Sequence, residues 1–599
     1  MLQSARQWIG SWFQGKRKHE DDEDHDADQN KRAKLEESNE RVYCVRIANA
    51  ENQKKFPRIL RREGYHVLKN HPKGIIYVAA RSEEDANKKA TTLTESRPFL
   101  DVSVISRLAD DEWDEMIDKT PPHERLANQV TPLHSVPYEE QLELKTNIHK
   151  TVLKEIREQM VAIGATETIH EGEHVCQVLD PLPAPNLEGY RSKCEFTIGY
   201  DLDNQPTVGF LLGLYKKGVT AVLEPSQCKH IPPVAKKIAK AMQDYVRQSK
   251  YPAYDRKTHQ GVWRLLMTRT QRTGDAMVLI QLKSKDSMTA KELAAEKKHL
   301  VKYFQSFKDK PEEERFDFST LILQDSDAVH NGFEPKAPTD VLVGDGYIHE
   351  ELLGLKFRIS ASSFFQVNTE AAEVLYSKCA EWCNVGKKTT LLDVCCGTGT
   401  IGLTMASHVD KVAGIDMVPE AIEDAHLNAK LNGIENVEYF AGRVETKLDL
   451  FSRKDDEDVV AVLDPARAGV GAKVISAVRQ AENINKVIYI SCDAEKAKNN
   501  FFDLIRPAGG KIKGSPFRAS RAVSVDLFPH TKHCELMIEF VRGEKDEDNS
   551  AKTGLNEEEN VKEVVEDTTI EVQQETIETT GESVQVTETS IKVTKEAEA

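Results

Sequence analysis

The segment at 391–403, LLDVCCGTGTIGL, constrains the fold of this 599-residue chain more than any other. An apolar strand breaks into glycines at 397 and 399 and resumes as a helix, the strand–loop–helix unit of a Rossmann-like α/β sheet. Gly397 and Gly399 let the backbone approach a ligand closely, and the helix that follows offers unpaired N–H groups. Asp416 ends the next strand, KVAGID, where a ribose hydroxyl would be read. Taken alone, the pattern suits a dinucleotide as well as S-adenosylmethionine.

Two strands further on narrow the choice. DVVAVLDPARAG ends in Asp464-Pro465 and KVIYISCD ends in Ser491-Cys492, so Asp464 and Cys492 project from the carboxyl edge where open α/β sheets bind ligands. Hydride transfer has no use for a thiol there, whereas methylation of a pyrimidine at C5 does. C5 is too poor a nucleophile until a thiolate adds to C6, and the C5 proton must then be removed before the thiol can leave. For Cys492 by itself, a small buried thiol filling a strand end is the plainer reading.

Composition excludes other classes. No run of eighteen apolar residues occurs, which argues against a membrane span. The ten cysteines are scattered without a CxxC pair, against a disulfide scaffold or a structural metal site. Cys176, Cys194 and Cys228 lie too far apart for an iron-sulfur cluster. His530, His533, Cys534 and Glu535 have the chemistry of zinc ligands but crowd one turn with no second ligand pair, so no metal is expected. The net charge of −17 is concentrated at the ends: residues 544–599 hold 17 acids against 5 bases. By contrast, 215–300 holds 18 Lys and Arg against 7 acids, an excess able to neutralise phosphates or simply to solvate a Lys-rich helix.

These shifts outline the domains. Residues 1–40 read as disordered, with basic clusters at 16–18 and 31–34 spaced like a bipartite nuclear localisation signal. Residues 41–110 alternate as βαββαβ and resemble an RNA recognition motif. Lys73, Gly74 and the stacking aromatic Tyr77 are kept and Tyr43 lies on the first strand, but Ile75 replaces a second aromatic. A linker at 111–136 leads to a β-rich central domain at 137–358 that opens on a helix from Pro137. In its strands GYRSKCEF and VWRLLMTRT, Arg191, Lys193, Arg264 and Arg269 are expected to face outward toward RNA. The Rossmann-like domain spans 359–541, and 542–599 is a disordered acidic tail.

The elements FFQVN (364–368), DVCCGTGT (393–400), DPARAG (464–469), ISCD (490–493) and FPHTKHCE (528–535), with GYRSKCEF (189–196) upstream, resemble those of the RNA uracil-C5 methyltransferases in order and spacing over about 400 residues. The resemblance implies an S-adenosylmethionine-dependent enzyme acting on tRNA at the T-loop 5-methyluridine, in nucleus and cytoplasm. It makes Cys492 the nucleophile and Glu535 the base that takes the C5 proton. It places Gln366, Cys395, Gly397, Gly399, Asp416 and Asp464 around the cofactor, and Tyr190, Arg191 and Lys193 in the domain that meets RNA. Three positions depart from the family pattern: Asp416 replaces Glu, Ala466 replaces a proline and is expected to loosen its loop, and Asp493 replaces Asn and is expected to raise the pKa of Cys492. Two rivals remain. An RNA cytosine-C5 methyltransferase would carry a cysteine beside Pro465, where this chain has none, and a tRNA-folding chaperone would use the same RNA surface without needing the catalysis. No feature fixes the oligomeric state, and a monomer is the default.

Overall fold

The computed structural model describes most of residues 43–105 and, apart from 168, 214–219, 257, 329–331, 335–336 and 448–457, residues 120–542. The expected disordered ends, the basic clusters at 16–18 and 31–34, and Lys73 and Gly74 lie outside the described residues. The chain divides between Thr120 and Pro121 into two compact units.

The first unit is a four-stranded antiparallel sheet of β1 (Tyr43–Ala48), β2 (Val67–His71), β3 (Ile75–Ala80) and β4 (Asp101–Ile105), ordered β2-β3-β1-β4. Its alternating apolar residues Val45, Ile47, Ile76 and Val78 meet Ala86 and Leu93 of helix α1 (Glu83–Ser96) and the helical residues Phe56 and Leu60. Tyr77 is 2% exposed, so its ring offers no open stacking face.

In the second unit, helix α2 (Pro122–Val130) buries Leu126 in the central core, inside the stretch expected to be a linker. Helix α3 (Tyr138–Ala162) was expected to open the central domain. Its Val152, Leu153, Ile156 and Met160 instead share a core with Leu392 and Val394 of the catalytic sheet, because their spacing makes one apolar stripe. Strand β5 (Gln177–Val178) joins that sheet too.

The central sheet contains β6 (Lys193–Tyr200), β7 (Pro206–Leu211), β8 (Val222–Leu223), β9 (Trp263–Thr270), β10 (Ala276–Leu282), β11 (Thr320–Asp325) and β12 (Thr339–Val343), ordered β12-β11-β10-β9-β6-β7-β8. Helices α4 (Pro233–Gln248) and α5 (Ala290–Gln305) flank it, α5 opening on a Thr289–Glu292 capping box. One face of β9 and β10, with Leu266, Val278 and Ile280, packs with the helices. The other, with Leu265, Met267, Met277 and Leu279, enters the core that also holds Leu375 and Leu391.

A hairpin of β13 (Tyr347–Leu352) and β14 (Leu355–Ser360) buries Ile348, Leu352, Phe357 and Ile359 in the same core, so the expected break before Ile359 falls inside a strand. Helix α6 (Thr369–Cys383), capped by Asn368, follows. The catalytic sheet then assembles from β15 (Thr389–Val394), β16 (Lys411–Asp416), β17 (Val437–Ala441), β18 (Asp458–Leu463), β19 (Ile484–Ser491), β20 (Arg518–Val525) and β21 (Glu535–Val541), ordered β17-β16-β15-β18-β19-β21-β20-β5. Its crossovers include helices α7 (Thr400–Met405), α8 (Pro419–Leu431), α9 (Ala472–Gln480) and α10 (Ala494–Ile505). β15 is buried at every residue and pairs in parallel with β16 and β18, so Thr389, Thr390 and Asp393 are withdrawn from water along with its apolar residues. β21 runs antiparallel between β19 and β20.

Candidate active site

The carboxyl ends of β15, β16, β18 and β19 meet the amino end of β21. After Val394 the chain turns at Cys395, which holds a left-handed backbone with φ 66°. The N–H groups of Cys395 and Cys396 both donate to the Ile415 carbonyl, at 2.9 and 3.1 Å. At Gly399, a Cβ would lie 2.5 Å from the Tyr439 hydroxyl, so the close approach admits no larger residue without displacement. Asp416 Oδ2 accepts the Gly397 N–H at 3.0 Å and Oδ1 accepts the Val418 N–H at 2.8 Å, which ties the glycine loop to β16. Met417 and Val418 beside it are exposed, while Gln366 is buried.

Asp393, at the core of β15, accepts the Gly402 N–H through Oδ2 at 2.9 Å and leaves Oδ1 buried without a partner. Burial chiefly, with Asp464 and Asp416 adding to it, raises its pKa to about 7. Burial likewise raises Asp464 to about 7.

The thiol and the second carboxylate come together through strand register. β19 and β21 pair Ile490 with Met537 and Ser491 with Leu536, so the next step outward sets Cys492 opposite Glu535. Glu535 is 2% exposed, and its Oε2 has no hydrogen-bond partner. Burial and then Asp464 hold its carboxyl well above the ordinary range, with the Arg467 guanidinium opposing. Cys492 is pushed up to about 11 by burial, then by Glu535 and Asp464, again against Arg467. Arg467 is an exposed residue of the DPARAG element that reading the sequence passed over. Phe364, 69% exposed in FFQVN, is a second such residue.

Two of the departures behave differently from expectation. Asp493 caps α10 by accepting the Lys496 N–H at 3.2 Å and pairs with the Lys496 ammonium. The carboxylates that raise the thiol are therefore Glu535 and Asp464. The loop bearing Ala466 is held without a second proline. Asn500 accepts the Val470 N–H at 2.8 Å, donates to the Val470 carbonyl at 2.9 Å and accepts the Tyr489 hydroxyl at 2.7 Å.

The expected RNA-facing arginines are corrected outright. Arg264 and Arg269 are each 2% exposed, because β9 is covered on both faces by the two cores. Arg264 donates to the Ser326 carbonyl at 2.7 Å and lies over the Tyr254 ring at 4.7 Å. Arg269 donates to the carbonyls of Ala361 and Ser363, the residues that lead into FFQVN, and burial lowers its pKa to about 10. Tyr190 is also buried, donating its hydroxyl to the Pro529 carbonyl at 2.9 Å. Arg191 and Lys193 are half-buried, with Lys193 paired to Glu195 at 2.8 Å. Elsewhere in the basic stretch, Lys240, Lys250, Lys285 and Lys297 each pair with a carboxylate. Lys291 and Lys298 on α5 are exposed without an ion partner among the described residues.

Of the residues weighed as zinc ligands, His530 Nδ1 lies 3.3 Å from Gln141 Nε2 and Cys534 donates to the Val525 carbonyl at 3.2 Å. Among the described residues no three potential ligands cluster, and no helix is long and apolar enough to cross a membrane.

A family model described as a methyltransferase domain matches residues 386–521, from the approach to β15 into β20. The chain is 41% identical over 439 residues to tRNA (uracil-5-)-methyltransferase homolog A of Homo sapiens, covering 71% of this chain and 69% of that protein. The chain belongs to the tRNA (uracil-5-)-methyltransferase family. Homolog B of Mus musculus is 36% identical, with 72% of this chain and 87% of that protein covered. The crystal structure of Pyrococcus abyssi tRNA (uracil-54, C5)-methyltransferase in complex with S-adenosyl-L-homocysteine shares the fold, with a TM-score of 0.50 at 20% identity over 68% of this chain and 84% of that one. As a member of this family, the enzyme uses S-adenosylmethionine, and the glycine loop with Asp416 and the open apolar edge at Met417 and Val418 is the part of its sheet suited to that cofactor.

Proposed function

We propose that the chain transfers a methyl group from S-adenosylmethionine to C5 of a uridine in tRNA, the T-loop 5-methyluridine, with Cys492 as nucleophile and Glu535 as base. The observation that carries this reading is the register that sets a thiol opposite an unpartnered carboxylate. The cofactor site fits on chemistry of its own: the buried, unpartnered Asp393 Oδ1, whose carboxyl Asp464 helps to raise, and the φ 66° turn at Cys395 beside Gly397 and Gly399. S-adenosylmethionine, when bound, supplies the electrophilic methyl group.

Everything else falls to the chain. At neutral pH a thiol at about 11 is protonated, so the half-buried Cys492 gives its proton to solvent water as its sulfur adds to C6, and Arg467 is the cation placed to favour the anion. The adduct makes C5 nucleophilic. Once C5 carries the methyl group, the Glu535 carboxylate takes the C5 proton. The C5–H electrons form the C5=C6 double bond, the C6–S bond breaks, and the thiolate leaves. A carboxyl held well above its ordinary value is a stronger base than a free one. The target base must leave its stack to reach this edge. Arg191, Lys193, Lys291 and Lys298 are among the exposed or half-exposed cations available to its phosphates.

The strand order β2-β3-β1-β4 supports an RNA-recognition-like reading of the first unit, used through a surface other than Tyr77. The basic clusters at 16–18 and 31–34 support passage between nucleus and cytoplasm. The test is to incubate the purified protein with unmodified tRNA transcript and methyl-labelled S-adenosylmethionine, then digest and map the label. Label in 5-methyluridine at the T loop is expected. Label in 5-methylcytidine, or none, overturns the reading.

A further inference from the structure

The connection between β20 and β21, which delivers Glu535, is gripped by a helix outside the catalytic sheet. Along α3 the C-terminal half buries an apolar stripe, but Gln141, Lys145 and His149, one turn apart on a single face, are buried to 0, 1 and 4% exposure. A buried polar face is costly unless every group is matched, and its partners lie in or beside this connection. His149 Nδ1 meets Ser524 Oγ at 2.8 Å. Lys145 donates to Asp526 Oδ1 at 2.7 Å and to the Phe528 carbonyl at 3.1 Å, while the Tyr138 hydroxyl donates to Asp526 Oδ2 at 3.1 Å. Gln141 Oε1 accepts the His530 N–H at 2.8 Å. Asn368 and Tyr190 donate to the carbonyls of Leu527 and Pro529. From 526 to 530, every residue is thereby fixed through a backbone or side-chain bond.

A buried ion pair is a weak source of stability compared with apolar packing, so its presence here asks for a geometric reason. Glu535 supplies one. Its unpartnered Oε2 is held by no hydrogen bond, so its aim depends on the backbone at the start of β21, where Glu535 pairs with Val525, the residue next to Asp526. Cys492 hangs from β19, whose register is set on both sides by β18 and β21, and the cofactor loop hangs from β15. We propose that Lys145 and Asp526 are positioning residues that aim Glu535 at the C5 proton, acting on release of the methylated tRNA rather than on methyl transfer. This rests on the reading of Glu535 as the base. A base displaced by about 1 Å loses on the order of a hundredfold in rate, while the thiol and the methyl-transfer step keep their own supports.

The test is single turnover with labelled tRNA and S-adenosylmethionine, quenched in denaturant and resolved into free and protein-bound methylated tRNA. In the Lys145→Met/Asp526→Asn double variant, methyl incorporation should stay within about threefold of native. The methylated tRNA should remain covalently bound at least about tenfold longer. Tyr138→Phe should shift release the same way by less, and Lys145→Arg, which keeps the cation, should restore it. Equal slowing of incorporation and release, or native release from a folded double variant, overturns the proposal. If the double variant does not fold, Tyr138→Phe decides: native release from it also overturns the proposal. Glu535→Gln run in parallel separates the two readings. If it frees its tRNA at the native rate, the base assignment itself has failed. If it traps the adduct while the Lys145, Asp526 and Tyr138 variants do not, only the positioning role is lost.

Discussion

The carboxyl edge of the catalytic sheet and the middle strands of the central sheet both carry charged residues that read as functional, and only the first keeps them where the sequence puts them. At the catalytic edge each residue sits at a strand end, and strand ends of a parallel sheet meet on one side. Asp416, Asp464 and Cys492 were thus placed by strand length alone. In the central sheet, Arg264 and Arg269 lie within β9, and whether a strand interior faces water depends on what covers its faces. Here two cores cover it, one with the flanking helices and one with the catalytic sheet. Charge in a strand interior says little about exposure until the neighbouring layers are known.

The comparison can be broken most severely at Cys492. Cys492→Ala should reduce 5-methyluridine formation by at least about a thousandfold, since covalent activation has no substitute at this edge. Methylation persisting near the native rate would remove the thiol from the mechanism. In the central sheet the contrasting outcome is loss of fold. Arg269→Glu should destabilise the protein by about 3–5 kcal/mol in denaturant melts, because it strands a charge between two cores and frees the Ala361 and Ser363 carbonyls. A stable variant with weakened tRNA binding would instead return Arg269 to the RNA surface.

A third comparison sets Asp393 against ordinary carboxylates. Its pKa is raised to about 7 in the folded state, so its contribution to stability is fully present below the unfolded value near 4 and is lost as pH rises through 7. Asp393→Asn should therefore lose about 2–4 kcal/mol less stability than the native protein between pH 4 and pH 8. Parallel pH profiles for the two would contradict a buried carboxyl with one oxygen left unpartnered. The smallest effect belongs to the surface of α5. Lys291→Glu with Lys298→Glu should leave the fold and single-turnover chemistry intact and flatten the salt dependence of tRNA binding by about 0.9 in log–log slope for each phosphate no longer neutralised. An unchanged slope would place the RNA path elsewhere.

Much of the site was legible because it is written in short motifs whose local backbone is fixed. Gly397 and Gly399 had to form a tight turn wherever the strand went, and DPARAG and ISCD had to end strands, whereas the left-handed turn at Cys395 shows only in the structure. The proximity of Glu535 to Cys492 was legible only through family resemblance, since antiparallel pairing of β21 with β19 joins residues distant in sequence. The role of Arg467 was not legible although it lies in a quoted motif, because only geometry distinguishes an exposed side chain at a site from any other. The destination of α3 was hidden for another reason. Its apolar stripe announces a packed helix without naming the sheet it packs on, and its buried Lys145 resembles any surface lysine until Asp526 is beside it. Asp493 shows the same limit at closer range, next in sequence to the thiol yet engaged in capping a helix.

The central claim is that one residue forms the bond to the base and the facing residue ends it. A denaturing gel of Glu535→Gln incubated with tRNA and S-adenosylmethionine tests that claim most directly. The account predicts a slow-migrating protein–RNA band that carries the transferred methyl label, persists through denaturation, and disappears when Cys492→Ala is added to the variant. Absence of the band in a Glu535→Gln protein that still binds tRNA, or its survival without Cys492, would contradict it.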